Sequence, residues 1–140
     1  MSYLLDTNVI SELRKRSPDP YVLTWYQSLS SAEIFISALT IGEIRQGIER
    51  LRRKDRAGAD RLEHWLSGLQ LTYQDHIVAI DAGIADEWGR MNVPDPLPVI
   101  DGLLAATARA HGWTLATRNT ADLARSGAAL FNPFNPPGEG

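Results

Sequence analysis

The 140-residue chain has no cysteine, which excludes a disulfide framework and thiolate metal sites. It has no apolar run approaching the ~18–20 residues of a membrane-crossing helix. Its first residues carry neither the basic nor the long apolar stretch of a secretory signal. A soluble, cytoplasmic protein with no membrane contact is expected. Net positive charge is also missing. The formal charge is -3, so no global field draws the chain to nucleic acid, and any such binding needs a local cluster of cations. There is no Walker loop, no dinucleotide glycine pattern and no G-x-S-x-G elbow. His64, His76 and His111 lack metal-ligand spacing, and His111, just before Gly112, is expected to meet the last carbonyls of a helix.

Apolar residues make up 44% of the chain, enough for a core and too many for disorder. The length suits one domain, expected over residues 1–134, with residues 135–140 as a flexible tail. Tyr3 to Leu5 reads as a short buried strand, and Thr7 to about Lys15 as a helix with Val9, Ile10 and Leu13 on one face. A second helix carries Val22, Trp25, Tyr26 and Leu29. "EIFIS" alternates as a strand should. Ser37 is placed to cap a long helix whose stripe is Ile41, Ile44, Ile48 and Leu51. Gly58 is read as a break before a helix containing Leu62, Trp65, Leu66 and Leu69. His76 to Ile80 is expected to be a strand, and Asp81 to start a helix. "NVPDPLP" is a rigid loop. "VIDGLLAATARAHG" is a strong helix closed by Gly112, and "WTLAT" and "AALFN" are further strands. Strands alternating with helices predict a mostly parallel sheet covered on both faces, an α/β/α sandwich.

On that map the acids fall at strand-to-helix junctions. Asp6 follows the first strand, Glu43 lies in the helix after the second, Asp101 opens the helix after the proline loop, and Asp122 follows "WTLAT". In a parallel sheet these ends share one edge. Each acid alone also has a structural reading. Asp6 and Asp101 are cap-like, Glu43 completes a capping box with Thr40, and Asp122 suits a turn. Gathered without a counter-charge, each like-charged pair at ~4 Å repels by roughly 4 kcal/mol at an effective dielectric of ~20. Either protons or a hard cation must then offset the charge, and oxygen-only ligation suits magnesium. Phosphodiester hydrolysis is the natural reaction of such a site. An aspartyl-phosphate enzyme would commonly want a second Asp two residues after Asp6, where this chain has Asn8.

The stretches "LLDTNVISEL", "SALTIGEIRQGIERL" and "VIDGLLAATARAHGWTLATRNTADL" resemble the ordered motifs of the PIN-domain ribonucleases, specifically the VapC-type toxins of bacterial toxin–antitoxin pairs. The resemblance covers nearly the whole chain. It implies a sandwich on a parallel sheet and an endoribonuclease dependent on magnesium, with manganese substituting. It implies inhibition by a VapB-like antitoxin, a homodimer, a hetero-oligomer with the antitoxin, and DNA contact only through that partner. Residue by residue, Asp6, Glu43 and Asp101 match the acidic core, Asp122 a more variable fourth acid, and Thr117 and Asn119 nearby polar residues. All four acids are candidate catalytic and metal-holding groups. Asn119 is expected to hold Asp6 or a scissile phosphate oxygen, and Arg118 to contact substrate phosphate. Leu123 departs from an aromatic residue frequent in the family.

The run Arg50, Arg52, Arg53, Lys54 and Arg56 reads as phosphate contact or as a solvated helix end, and Arg14, Lys15 and Arg16 share that ambiguity. Trp25, Tyr26 and Trp65 fit a core, or a groove for an antitoxin segment. A rival to the enzyme is a PIN-fold module that sits in a DNA-bound complex and cuts little.

Overall fold

The computed structural model describes residues 1–138. Five strands, β1 (Tyr3–Leu5), β2 (Ile34–Ser37), β3 (Ile77–Val78), β4 (Thr114–Ala116) and β5 (Ala129–Phe131), form one sheet in the order β3-β2-β1-β4-β5. All pairings are parallel, with Tyr3 opposite both Ile34 and Thr114. Between and after them run α1 (Thr7–Arg14), α2 (Pro20–Gln27), α3 (Ala38–Arg52), α4 (Arg56–Thr72), α5 (Ala82–Met91), α6 (Val99–His111) and the single turn α7 (Thr120–Leu123). This is the expected α/β/α sandwich.

Strand alternation divides the core in two. Leu5, Ile34, Ile36 and Ala116 pack with Val9, Ile10, Val22 and Tyr73 beneath α1 to α4. Leu4 and Leu115 point the other way, onto Leu97, Leu104, Ala105 and Ala108. Both faces are therefore buried, which is why the strands read as continuous apolar runs. A third cluster, Ile48, Ala59 and Leu66, joins α3 to α4 in a hairpin.

Several boundaries differ from the sequence reading. Gly58 lies inside α4, which Asp55 caps by accepting from the Gly58 N–H at 2.9 Å. The chain breaks at Lys54–Asp55 instead, because an Asx cap starts a helix more strongly than one glycine stops it. Only Ile77–Val78 of the expected third strand pairs, at the sheet edge. His111 stacks on Trp113 with ring centroids 4.1 Å apart, so its ring is held by an aromatic neighbour. Gly112 does end α6 in the left-handed conformation, φ 71°. The expected domain boundary falls at Phe134, which packs on the first core cluster. Of the expected tail, Pro136, Pro137 and Gly138 border a cavity with Tyr21 and Trp25, while Glu139 and Gly140 lie outside the described residues.

Candidate active site

The strand order reverses at β1, since β2 and β3 lie to one side of it and β4 and β5 to the other. In open parallel sheets the carboxyl end of such a switch point forms a crevice. Asp6 stands there, at the end of β1, and Thr117 at the end of β4. The Asp6 N–H donates to the Ala116 carbonyl at 2.9 Å, which extends the β1–β4 pairing by one residue into the site.

Asp6 is 5% exposed. It is the N-cap of α1, its Oδ1 accepting from the Thr7 N–H at 2.7 Å. Its Oδ2 accepts from the Thr117 hydroxyl at 2.8 Å and from Asn8 Nδ2 at 3.4 Å. The cap reading holds, since one oxygen accepts from the first turn of the helix, and the other oxygen faces the crevice network. Burial raises the Asp6 carboxyl above its ordinary range. The Thr117 and Thr7 donors lower it, and the charges of Asp101 and Glu43 raise it further.

Glu43 is not in a capping box. α3 starts at Ala38 with Ser37 as its cap, so Glu43 is the sixth helical residue, beyond reach of the cap backbone. Its Oε1 instead accepts from the Thr7 hydroxyl at 2.5 Å, and that hydroxyl lies 3.3 Å from Thr40 Oγ1. Asp101 caps nothing either. The cap position of α6 is Pro98, and Asp101 is half-buried in the first turn. Burial and then the Asp122 charge raise its carboxyl. Asp122, exposed on α7, shares a groove of 490 Å³ with Asp101, Leu97, Pro98, Ala121, Ala124 and Arg125. Asp6 thus feels the charges of Glu43 and Asp101, and Asp101 that of Asp122. Among the described residues none of the four is in an ion pair.

The supporting residues sort less simply. Thr117 is fully buried and touches Asp6 as described. Asn119 does not hold Asp6. Its backbone N–H donates to Thr117 Oγ1 at 3.0 Å, fixing that hydroxyl. Asn8, passed over in the sequence, does more. It reaches Asp6 and Thr117, and its Oδ1 accepts from the Arg118 N–H at 3.2 Å, tying the β1 and β4 ends together. The Arg118 guanidinium turns away, 3.7 Å over the Phe134 ring and 3.8 Å from Glu12. Arg125 is the cation at the acid groove, anchored on the Pro96 carbonyl at 2.7 Å. Thr7, Thr40 and Asn8 lie inside the quoted motifs.

The PIN domain family model matches residues 3–127, and the chain belongs to that family. It is 34% identical over 138 residues to Toxin FitB of Neisseria gonorrhoeae, covering 94% of this chain and 98% of that one. It is also 34% identical over 142 residues to the VapC ribonuclease Y4jK of Sinorhizobium fredii, covering 95% and 98%. In structure it matches FitAB bound to an IR36 DNA fragment with a TM-score of 0.87 at 28% identity, covering 99% of each chain.

Proposed function

We propose that this chain is a ribonuclease toxin that hydrolyses RNA phosphodiester bonds with a magnesium ion, for which manganese substitutes. The observation that carries the reading is Asp6. A nearly buried acid at a strand end has two further acids close enough to raise its proton affinity, and no cation pairs with it among the described residues. Kinship to a VapC ribonuclease and to a toxin supports the same assignment.

The donor set fits magnesium on chemical grounds. Among the described residues no three carboxylate or imidazole groups converge into a cage for an ion. Magnesium asks for less, since it usually takes one or two carboxylates and keeps several waters. Asp6 and Asp101 are assigned as its holders, directly or through water, with Asp122 as an outer group. Such an ion supplies charge opposite a phosphoryl oxygen and a more acidic water. Glu43, oriented by Thr7, takes the proton of the attacking water. Thr117 and Asn8 hold Asp6 in place, and Arg125 stands beside the groove for a phosphate oxygen.

The partner is an antitoxin of the VapB type, in a hetero-oligomer that also contains a homodimer of this chain and meets DNA through the antitoxin. A relative named as a toxin and a DNA-bound FitAB structure support this. Purified, partner-free protein should cleave RNA with magnesium and stop in chelator, and Asp6→Asn should abolish cleavage while its circular dichroism is unchanged. Cleavage at the wild-type rate by that variant overturns the assignment. A wild-type protein that binds antitoxin and DNA but never cuts RNA makes the chain a binding module instead.

A further inference from the structure

The contact between Thr7 and Glu43 joins the first residue of α1 to the sixth of α3, and both helices run on from it away from the acids, because they follow adjacent parallel strands. At 3.6 residues per turn, positions seven apart return to nearly the same face. Arg50 is seven residues after Glu43 on α3, and Lys54 follows two residues past the end of that helix; both are exposed. Between them and Glu43 the same stripe holds only Gln46 and Gly47, and a side-chain carbon at Gly47 would meet nothing within 4 Å. On α1 the face that begins with Thr7 continues through Ser11 to Arg14, at spacings of four and seven. Arg14 and Leu51 border one depression of 370 Å³, and Leu51 borders another of 690 Å³ with Arg50, Arg53 and Lys54. The two stripes thus leave the acids together and end among cations.

These cations are not used elsewhere. Arg45 and Arg52 are taken up by Glu49, Asp60 and Glu63. Among the described residues Arg14, Arg50, Arg53 and Lys54 have no ion pair. In a chain of net charge -3 their segregation at one end of an uncluttered polar stripe is a local field of the sign that phosphate requires.

We propose that the α1–α3 stripe is an RNA-holding track, in which Arg14, Arg50 and Lys54 bind backbone phosphates of a single strand whose scissile bond lies at the acids. The seven helical residues from Glu43 to Arg50 rise about 10 Å, so the track engages phosphates beyond the one at the cut and leaves the shortest substrates unaffected. Contact is to phosphate only, and it adds affinity without base preference. This rests on the nuclease reading above.

The test is the triple variant Arg14→Ala/Arg50→Ala/Lys54→Ala, with thermal melting to confirm folding. Binding of a fluorescent 12-nucleotide RNA is followed by anisotropy in chelator, where no cleavage occurs, over a range of salt. The track predicts roughly tenfold or greater loss of affinity at low salt, and a salt slope smaller by about 2, from three lost single-strand phosphate contacts. With magnesium, KM for the long RNA should rise while cleavage of a three-nucleotide RNA stays at the wild-type rate. Unchanged affinity and slope in the folded variant overturn the track, and leave the nuclease reading standing if wild type still cuts. Loss of antitoxin binding with RNA binding intact also overturns it, and makes the cations a protein interface. A wild type that neither binds nor cuts RNA removes the nuclease reading and the track together.

Discussion

The Thr7 hydroxyl lies 2.5 Å from Glu43 Oε1, so the first residue of α1 sets the position of an acid on α3. This single contact joins the ends of β1 and β2 across the crevice. In the proposed role of Glu43 as the group that takes a proton from water, its rotamer has to be fixed, and the Thr7 hydroxyl is placed to fix it.

Thr7→Val keeps the β-branched shape and the first-turn position but removes that hydroxyl. Cleavage should fall by roughly 10- to 100-fold, the usual loss when a group that orients an active-site carboxylate is removed. Melting temperature should change little. Steady-state kinetics at saturating magnesium check this, and an unaltered kcat would show that Glu43 needs no such restraint.

Asp6, the cap of α1, and Glu12, near the end of the same helix, should respond to pH with opposite sign. The folded-state Asp6 carboxyl titrates above its ordinary value, chiefly through burial. The folded protein therefore holds that proton more tightly than the unfolded chain. Its contribution is present at low pH and is lost as pH rises from the ordinary aspartate value through the raised one. Glu12 is the reverse. Its carboxylate accepts from Lys15 Nζ and from the Asp19 N–H, both at 2.9 Å, and these bonds hold it below the ordinary range. Its contribution is present above the unfolded value and is lost as pH falls through the lowered one. In metal-free protein at neutral pH, Asp6→Asn should raise the melting temperature, because Asn still caps the helix and no charge is buried. Glu12→Gln should lower it. Melting scans from acid to neutral pH separate the two, and a drop for Asp6→Asn would mean that capping and the Thr117 bond outweigh the buried charge.

The parallel sheet was legible because it follows from period and order, which a sequence displays directly. Asp6 falls at the β1–α1 junction, Glu43 in the second turn of α3 and Asp101 in the first turn of α6, and the carboxyl ends of strands share an edge in this architecture. Hydrogen-bond partners were not legible, because they depend on which strands become neighbours. Asn8 and Thr117 are 109 residues apart, and only the β1–β4 pairing brings them together. Arg118 illustrates the converse. It is adjacent in sequence to Thr117, yet it turns to Phe134 and Glu12, because a residue following a strand end has two sides to choose from. Glu43 as a capping acid failed for a similar reason. Two caps, Ser37 and Thr40, competed for one helix start, and the earlier one won.

Thr117 lowers the proton affinity of Asp6 through its hydroxyl, against the effect of burial. Removing that donor in Thr117→Val should raise the Asp6 carboxyl further, so at any given acidic pH a smaller fraction is ionised. The acidic limb of the pH–rate profile should then move to higher pH, with the plateau rate less affected than the limb. Profiles of both proteins at fixed magnesium test this. A limb in the same place would show that the titrating group is not Asp6.

Asp101 owes its position to the packing of α6 on α5, and Gly102 controls that packing. A side-chain carbon at Gly102 would stand 3.1 Å from Trp88 Nε1 and 3.2 Å from its Cδ1, closer than carbon normally approaches. Gly102→Ala gains about 1 kcal/mol of helix propensity but must move the indole ring, an overpacking cost of about 1–3 kcal/mol. The net should be a loss of stability of about 1 kcal/mol and a melting temperature lower by about 4 °C. Gly68→Ala, in the interior of α4 with nothing within 4 Å of the new carbon, should have the opposite sign, because propensity acts there unopposed. Activity should separate the two as well, since displacement of α6 carries Asp101 with it while Gly68 is remote from the acids. Equal stabilisation by both substitutions would mean that Trp88 yields freely, and that the α5–α6 contact does not position Asp101.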